Sequence, residues 1–214
     1  MGMRYRLPDG GKLKISAGSG SVTVVAEDRN DVEIDRSNIH VEEKGGVLEV
    51  RSRSGGVSAR CPTGTHVSVG VISGSVRLEG TFASARISAI SGSVDVGSVR
   101  GDVDVRSVSG SLSVEDCGGN CSLNTKSGRI TVGHVGQSLS AATISGTIEV
   151  GTAGQGAVEV KSISGSVSLQ VPEDRHPRAK FRTLSGHVRC DCPQGEDFDL
   201  KVTTLSGSIE ITKE

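Results

Sequence analysis

The chain has 214 residues, of which 30 are Gly and 3 are Phe, with 1 Tyr and no Trp. Such a composition excludes an ordinary globular core built on aromatic anchors, so any core must be thin and aliphatic. Lys and Arg total 24 against 25 Asp and Glu, without a long basic run, which makes nucleic acid and anionic membranes poor partners.

No stretch of about 18 apolar residues occurs, so no transmembrane helix is predicted. The opening "MGMRYRLPDGGKLKI" also lacks the apolar region of a signal peptide. We therefore expect a cytoplasmic protein as the chain stands. If an export or anchor segment has been removed, the expected location becomes extracytoplasmic or the cell surface.

Residues 1–60 alternate apolar and polar positions without a fixed longer repeat. Strands are predicted near residues 12–16, 21–26, 31–35, 38–43 and 47–53, and "EKGG" at 43–46 is typical of a hairpin turn. A stack of strands needs an atypical terminal repeat to cover its first open edge. We predict that residues 1–60 form this N-terminal cap.

Residues 61–214 carry an internal repeat. A Ser-Gly pair, preceded by an aliphatic residue, recurs with its Gly at 74, 92, 110, 146, 165, 186 and 207, and Gly128 fills the missing step after Lys126 and Ser127. Each repeat divides into two halves, seen when "SGSVDVGSV" is set over "RGDVDVRSV", and each half reads as one corner and one short strand. No segment carries helical periodicity. The sequence thus predicts an all-β, single-domain parallel β-solenoid, with about 18 residues and two short strands per coil.

The register predicts three aliphatic columns inside this solenoid. One sheet should bury Val76, Leu78, Val94, Val96, Leu112, Val114, Ile130, Val132, Ile148, Val150, Val167 and Leu169. The opposite sheet should bury Val67, Val69, Ala85, Ile87, Val103, Val105, Cys121, Leu123, Leu139, Ala141, Val158 and Val160. A third column is expected to fill the corner before Ser-Gly, namely Ile72, Ile90, Val108, Ile144, Ile163, Leu184 and Leu205.

A family resemblance rests on the opening "LKISAGSGSVTVVAED", the middle "CPTGTHVSVGVISGSV" and the serial repeats that end in "LSGSIEI". In these segments the chain resembles the bacterial β-strand-repeat domains of unknown function that are labelled "putative adhesins". The resemblance covers essentially the whole chain and implies a parallel β-solenoid in a bacterial protein. It implies no catalytic or binding residues, because the family's label describes shape rather than a known site.

The five cysteines fit the buried phase of the repeat better than a site. Cys117 and Cys121 replace inward valines, Cys61 is in phase with buried positions, and Cys190 and Cys192 continue an inward phase, so we expect small buried hydrophobes. Two alternatives stay open: a short-loop disulfide between Cys117 and Cys121 in an oxidising compartment, and a zinc site in "HVRCDC". Zinc is disfavoured because His187 points away from both cysteines in a strand.

The best place for a specific site is where the repeat lengthens. The insertions "VPEDRHPRAKF" (171–181) and "CPQGEDFDLKV" (192–202) come one coil apart, and repeat insertions map to loops on one face. We expect them to form partner-binding loops. Their candidate residues are Glu173, Asp174, Arg175, His176, Arg178, Glu196 and Asp197.

No nucleophile and base stand out in the sequence, and the outward acids Asp95, Asp102, Asp104 and Glu115 lack the spacing of a calcium roll. The predicted function is therefore a non-enzymatic, adhesin-like scaffold that binds a protein, without a cofactor or a small-molecule substrate. One alternative is a protein that assembles end to end or edge to edge, because the final strand "SGSIEITKE" has no evident cover. A second alternative is an enzyme acting on polysaccharides.

Overall fold

The computed structural model describes residues 3–8, 10–35, 39–153, 156–192 and 195–213. These residues form strands and turns without a helix, as the sequence predicts. The N-terminal strands are β1 (Met3–Arg6), β2 (Lys12–Ser19), β3 (Val22–Glu27), β4 (Asp31–Ile34), β5 (His40–Lys44), β6 (Val47–Ser52), β7 (Val57–Pro62), β8 (His66–Ser73), β9 (Val76–Phe82), β10 (Ser84–Ser91), β11 (Val94–Val99) and β12 (Val103–Ser109). The following strands are β13 (Leu112–Cys117), β14 (Cys121–Ser127), β15 (Ile130–Val135), β16 (Leu139–Ser145), β17 (Ile148–Ala153), β18 (Val158–Ser164), β19 (Val167–Val171), β20 (Arg178–Ser185), β21 (Val188–Cys190), β22 (Asp199–Ser206) and β23 (Ile209–Lys213).

The strands form two long sheets that face each other across one aliphatic core. Sheet A has the order β1-β4-β7-β3-β9-β11-β13-β15-β17-β19-β23-β21, and sheet B has the order β20-β22-β18-β16-β14-β12-β10-β8-β2-β6-β5. Consecutive coils pair in parallel with matching residues side by side, as where Val103 pairs with both Ala85 and Cys121. The predicted parallel β-solenoid is confirmed.

Antiparallel strands cover the N-terminal end. β1 pairs with β4, β4 pairs with β7, and β5 forms a hairpin with β6 through Gly45 and Gly46. Both glycines have positive φ angles of 59° and 77°, the backbone that a two-residue type I′ turn requires. The first two coils, β2-β3 and β6-β7, already run parallel to the rest, so both sheets continue without a break across residue 60.

The first coil, β2-β3, and the last coil, β22-β23, each lie one coil inside the stack. At the N-terminus β2 lies between β6 and β8, and at the C-terminus β22 lies between β18 and β20 while β23 lies between β19 and β21. The expectation that the last strand is an open edge is therefore wrong. The edge coil is β20-β21. After β19 the chain leaves one coil position open, forms the edge coil, and then returns to fill the open position with β22-β23. The connections before and after the edge coil are long because each of them spans this extra coil.

The two predicted sheet interiors are buried throughout, from Val76 to Leu169 on one side and from Val67 to Val160 on the other. The third column was assigned wrongly. Ile72, Ile90 and their equivalents are exposed, because strand alternation continues to the end of each sheet B strand and the preceding residue points inward instead. Those inward residues are Val71, Ala89, Ser107, Thr125, Thr143, Ser162 and Thr204.

In some coils the small polar side chain at this inward position bonds to the backbone of the corner that follows it, whereas the hydroxyl groups of Thr143, Ser162 and Thr204 have no hydrogen-bond partner among the described residues. The hydroxyl of Thr125 donates to the carbonyl of Ser127 at 3.1 Å, and that of Ser107 donates to the carbonyl of Ser109 at 3.3 Å. Such local bonds satisfy backbone carbonyls at a corner. The residue that follows each of them, Val108 after Ser107 and Lys126 after Thr125, is left on the outer surface.

Candidate functional site

The misassigned column forms a hydrophobic ridge on the outer face of sheet B. Its exposed fractions run from 41% at Val108 to 81% at Leu184. Strand pairing places its members one per coil, with Lys126 filling the position between Val108 and Ile144. In spatial order the hydrophobic ridge is Ile72, Ile90, Val108, Lys126, Ile144, Ile163, Leu205 and Leu184. At a strand spacing of about 4.8 Å, it extends over roughly 34 Å.

The face that carries the ridge is basic. Its outward cations are Lys12, Lys14, Lys44, Arg51, Arg86, Arg106, Lys126, Lys161, Arg178, Lys180, Arg182 and Lys201. They outnumber the acids on the described strands of this face, which are Glu42, Glu49, Asp104, Glu159 and Asp199.

Four of these five acids, all except Glu42, form ion pairs with cations on the same face. Lys14 approaches Glu49 at 3.1 Å, and Lys201 approaches Glu159 at 2.9 Å. Hydrogen bonds from these lysines lower the pKa of both carboxyl groups. The side chain of Lys126 has no hydrogen bond or ion pair with the described residues, so the ridge keeps an unpaired positive charge at its centre.

A shallow depression of about 640 Å³ adjoins the N-terminal part of the ridge. Its floor is made by small residues such as Gly70 and Ser88, and its side by Ile72 and Ile90. Arg53 lies at one end of it. The ridge side chains therefore project from a surface of small residues that leaves them accessible to a partner.

The outer face of sheet A has the opposite character. Its acids are Glu27, Asp31, Glu33, Glu79, Asp95, Glu115, Asp116, Glu149 and Glu210. They outnumber the cations on the described strands of that face, which are Arg4, Arg6, Arg60, Arg77 and Arg189. The near-neutral chain therefore separates its charge onto two opposite faces.

A groove floored by glycine runs along sheet A. One part, of about 460 Å³, contains Gly80 and Gly97, and a second part, of about 380 Å³, contains Gly133 and Gly151. Glu115 occupies the coil between Gly97 and Gly133. The glycine groove is defined here as Gly80, Gly97, Glu115, Gly133 and Gly151.

The predicted late loops lie against each other. Arg178 donates to Glu196 at 2.9 Å, and the backbone N–H of His176 donates to Asp197 Oδ2 at 2.7 Å. The imidazole of His176 also lies 3.6 Å from Asp197. These contacts brace the two connections that flank the edge coil.

The other three predicted residues point elsewhere. The side chains of Glu173, Asp174 and Arg175 make no hydrogen bond or ion pair with the described residues. The backbone N–H of Arg175 donates to the carbonyl of Pro172 at 3.0 Å. Residues 193 and 194 of the second insertion lie outside the described residues.

The prediction that all five cysteines are buried is confirmed for Cys61, Cys117 and Cys121. Burial raises the pKa of Cys61 to about 11. A hydrogen bond between Cys117 and Cys121 lowers the pKa of the first thiol and raises that of the second.

The prediction is wrong for Cys190 and Cys192, which are only half-buried, because their coil is the last in the stack. Their sulfur atoms lie 2.6 Å apart, and burial raises the pKa of Cys192 to about 12. Across the part of the chain that is described, no three His, Cys, Asp or Glu side chains converge in a way that would hold a metal ion.

No helix long and apolar enough to cross a membrane occurs within the described ranges.

Sequence reasoning missed both the ridge and the charge separation. The ridge had a readable signal: strand alternation carried through to the Ser-Gly pair places Ile72 and Ile90 outward. The charge separation requires knowing which half of each repeat belongs to which sheet. That assignment follows from the register for the regular coils, but not for the displaced coils at the ends.

Comparison with known structures finds similar chains of low identity. They are a "putative adhesin" from Bacteroides fragilis NCTC 9343 (14% identity, 99% of this chain and 96% of that chain, TM-score 0.49) and a "putative cell adhesion protein" from Clostridium sporogenes ATCC 15579 (12%, 100% and 99%, TM-score 0.34). A third is a "putative adhesin" from Parabacteroides distasonis ATCC 8503 (13%, 99% and 96%, TM-score 0.33). Among curated proteins, none matches. A family model matches residues 3–152, and the chain accordingly belongs to the Toastrack DUF4097 family.

Proposed function

We propose that this β-solenoid is a non-enzymatic, adhesin-like interaction module that binds a protein partner through the outer face of sheet B. The observation that carries the proposal is the hydrophobic ridge. Soluble monomers rarely expose contiguous apolar patches larger than a few hundred Å², and larger ones mark interaction sites. With seven aliphatic side chains that are each at least 41% exposed, the ridge offers on the order of 600 Å².

The energetics of covering the ridge support this use. Full burial of an Ile or Leu side chain is worth roughly 1.5–3 kcal/mol, so covering a half-exposed one contributes about 1 kcal/mol. Several such contacts in one row supply the apolar centre of an interface. The surrounding cations supply a polar rim that favours an acidic partner and accelerates its encounter.

The test is a binding comparison with a ridge variant carrying Ile90→Ser, Ile144→Ser and Ile163→Ser. All three side chains are exposed, so circular dichroism and the urea midpoint should match those of the wild type. Val188→Ser is the matched control, because Val188 is 42% exposed and lies outside the ridge.

Partners are recovered from extracts of the source organism with all three proteins as bait, and each is then purified and titrated by calorimetry. We expect a partner that binds the wild type and the control, and that binds the ridge variant at least tenfold more weakly. Equal affinity of every partner for the ridge variant and the wild type contradicts the assignment to this face. Repeated turnover of a glycan by the purified wild type contradicts the non-enzymatic assignment.

The late loops are proposed as a second contact region beside the edge coil. The side chains of Glu173, Asp174 and Arg175 are free of intramolecular bonds to the described residues, which leaves them available to a partner. Replacing Glu173, Asp174 and Arg175 with Ala tests this role in the same titration, because it leaves the bracing contacts of His176 and Glu196 in place. Unchanged affinity for the partner removes the loops from the interface.

A further inference from the structure

We infer that the partner of the hydrophobic ridge is a second copy of this chain, whose glycine groove receives it. This inference rests on the proposed function, because it names the occupant of the same face. In the resulting contact, the basic face of sheet B in one copy lies on the acidic face of sheet A in the next. Three features of the described strands carry the inference: spacing, shape and charge.

The spacing of ridge and groove is identical. Both columns present one residue per coil, because strand pairing aligns equivalent positions in each sheet. Neighbouring strands in a sheet lie about 4.8 Å apart. Two copies with parallel or antiparallel axes can therefore keep every ridge residue in step with a groove residue.

The shapes of the two columns are opposite. The ridge projects an aliphatic side chain from nearly every coil, whereas the groove lacks a side chain at Gly80, Gly97, Gly133 and Gly151. These glycines allow the backbones of neighbouring coils to lie close together. A Cβ atom on Gly151, for example, would meet the carbonyl oxygen of Gly133 in the neighbouring coil. The floor of the groove is therefore backbone that a projecting Ile can approach closely.

Each column is interrupted once, and the two interruptions are complementary. Lys126 takes the place of an aliphatic residue in the ridge, and Glu115 takes the place of a glycine in the groove. Both side chains are exposed and neither has an ion pair with the described residues. If Lys126 faces Glu115 of the next copy, the ridge residues on either side each face a glycine. With parallel axes the pairs are Ile90 with Gly80, Val108 with Gly97, Ile144 with Gly133 and Ile163 with Gly151.

The charge of the two faces favours this contact over a symmetric one. Placing ridge against ridge would bring two basic faces together, and like charges at close range repel. Placing sheet B on sheet A instead brings the basic face, with cations such as Arg106 and Lys161, onto the acidic face, with acids such as Asp95 and Glu149. This contact is heterologous, so each copy keeps one free ridge and one free groove and assembly continues beyond the dimer.

The experiment measures association by sedimentation velocity over a concentration series of the full chain. Four proteins are compared: wild type, Lys126→Glu, Glu115→Lys and the double variant that exchanges the two charges. Arg100→Glu is the control, because it makes the same change in net charge on an exposed cation that lies at a corner after β11 and on neither sheet face. We expect the wild type and this control to associate with increasing concentration.

Each single exchange should weaken the association constant about tenfold or more, because a like-charge pair replaces an opposite-charge pair at the centre of the contact. The double variant should recover association, as should an equimolar mixture of the two single variants. A wild type that stays monomeric throughout overturns the inference. So does a double variant that associates no better than the single variants.

These outcomes separate the inference from the proposed function. If the wild type is monomeric but the ridge variant no longer binds a different protein partner, the proposed function is supported and the inference that the partner is a second copy is wrong. If the wild type is monomeric and no partner distinguishes the ridge variant, both are wrong.

Discussion

Replacing Gly110 with Ala tests the physical basis of the repeat. Gly110 has a φ of 133°, and a Cβ atom at this position would meet the carbonyl oxygen of Gly92 in the preceding coil. Neither of these two glycines can move freely. The N–H of Gly110 donates to Ser127 at 3.1 Å and that of Gly92 donates to Ser109 at 3.2 Å, so a shift that relieves the clash weakens both corner bonds.

The expected cost follows from these contacts. Holding Ala in this backbone conformation costs roughly 1–3 kcal/mol, and two weakened hydrogen bonds cost about 1 kcal/mol together when half of each is lost. We expect Gly110→Ala to reduce the free energy of unfolding by about 3 kcal/mol. With a urea slope of about 2–3 kcal/mol/M for a domain of this size, the midpoint should fall by roughly 1 M.

The matched control is Gly70→Ala, assayed by the same urea titration followed with circular dichroism. Gly70 lies on the outer surface of β8 with nothing within 4 Å of an added Cβ atom. Its replacement should leave stability unchanged or raise it slightly, by about 0.5 kcal/mol. A Gly110→Ala midpoint within error of the Gly70→Ala midpoint would refute the argument that the Ser-Gly corners require glycine.

Three further predictions concern charge, packing and thiol chemistry. A hydrogen bond from Arg29 lowers the pKa of Asp31 in the folded state, so this pair stabilises the protein above the unfolded pKa of about 4 and the effect is lost as the pH falls through the lowered value. Arg29→Met should therefore flatten the loss of stability between about pH 5 and 2, measured by urea midpoints at each pH; an unchanged pH profile contradicts this. Phe82 is fully buried whereas Phe181 packs only partly against the core, so Phe82→Ala should cost about 3–5 kcal/mol and Phe181→Ala clearly less, and equal costs would count against the assignment of β20 to the edge coil. Because burial raises the pKa of Cys61 to about 11, a thiol reagent at pH 8 should modify it only in denaturant, as followed by peptide mass spectrometry; modification in the native state contradicts this burial.

Much of this fold could be predicted from the sequence because its repeat is local. The Ser-Gly interval, the alternation of Val94 and Val96, and the absence of helical periodicity predict strands, corners and stacking direction, and the two buried interiors follow from the register. The same logic places Cys117 and Cys121 inside. Each of these inferences depends only on neighbours within about one coil.

The tertiary structure decided what depends on contacts between distant segments. Each terminal coil inserts one level into the stack, so β20-β21 becomes the edge instead of β22-β23. No repeat pattern encodes this order, because a coil pairs equally well with any neighbour of the same register. The structure also turned Ile72 and its equivalents outward, since the chain bends only after Ser73, and it separated the charges between two faces. The sequence by itself determined the repeating unit, because strand and corner are local; the surface that a partner meets was decided only when ten coils were stacked.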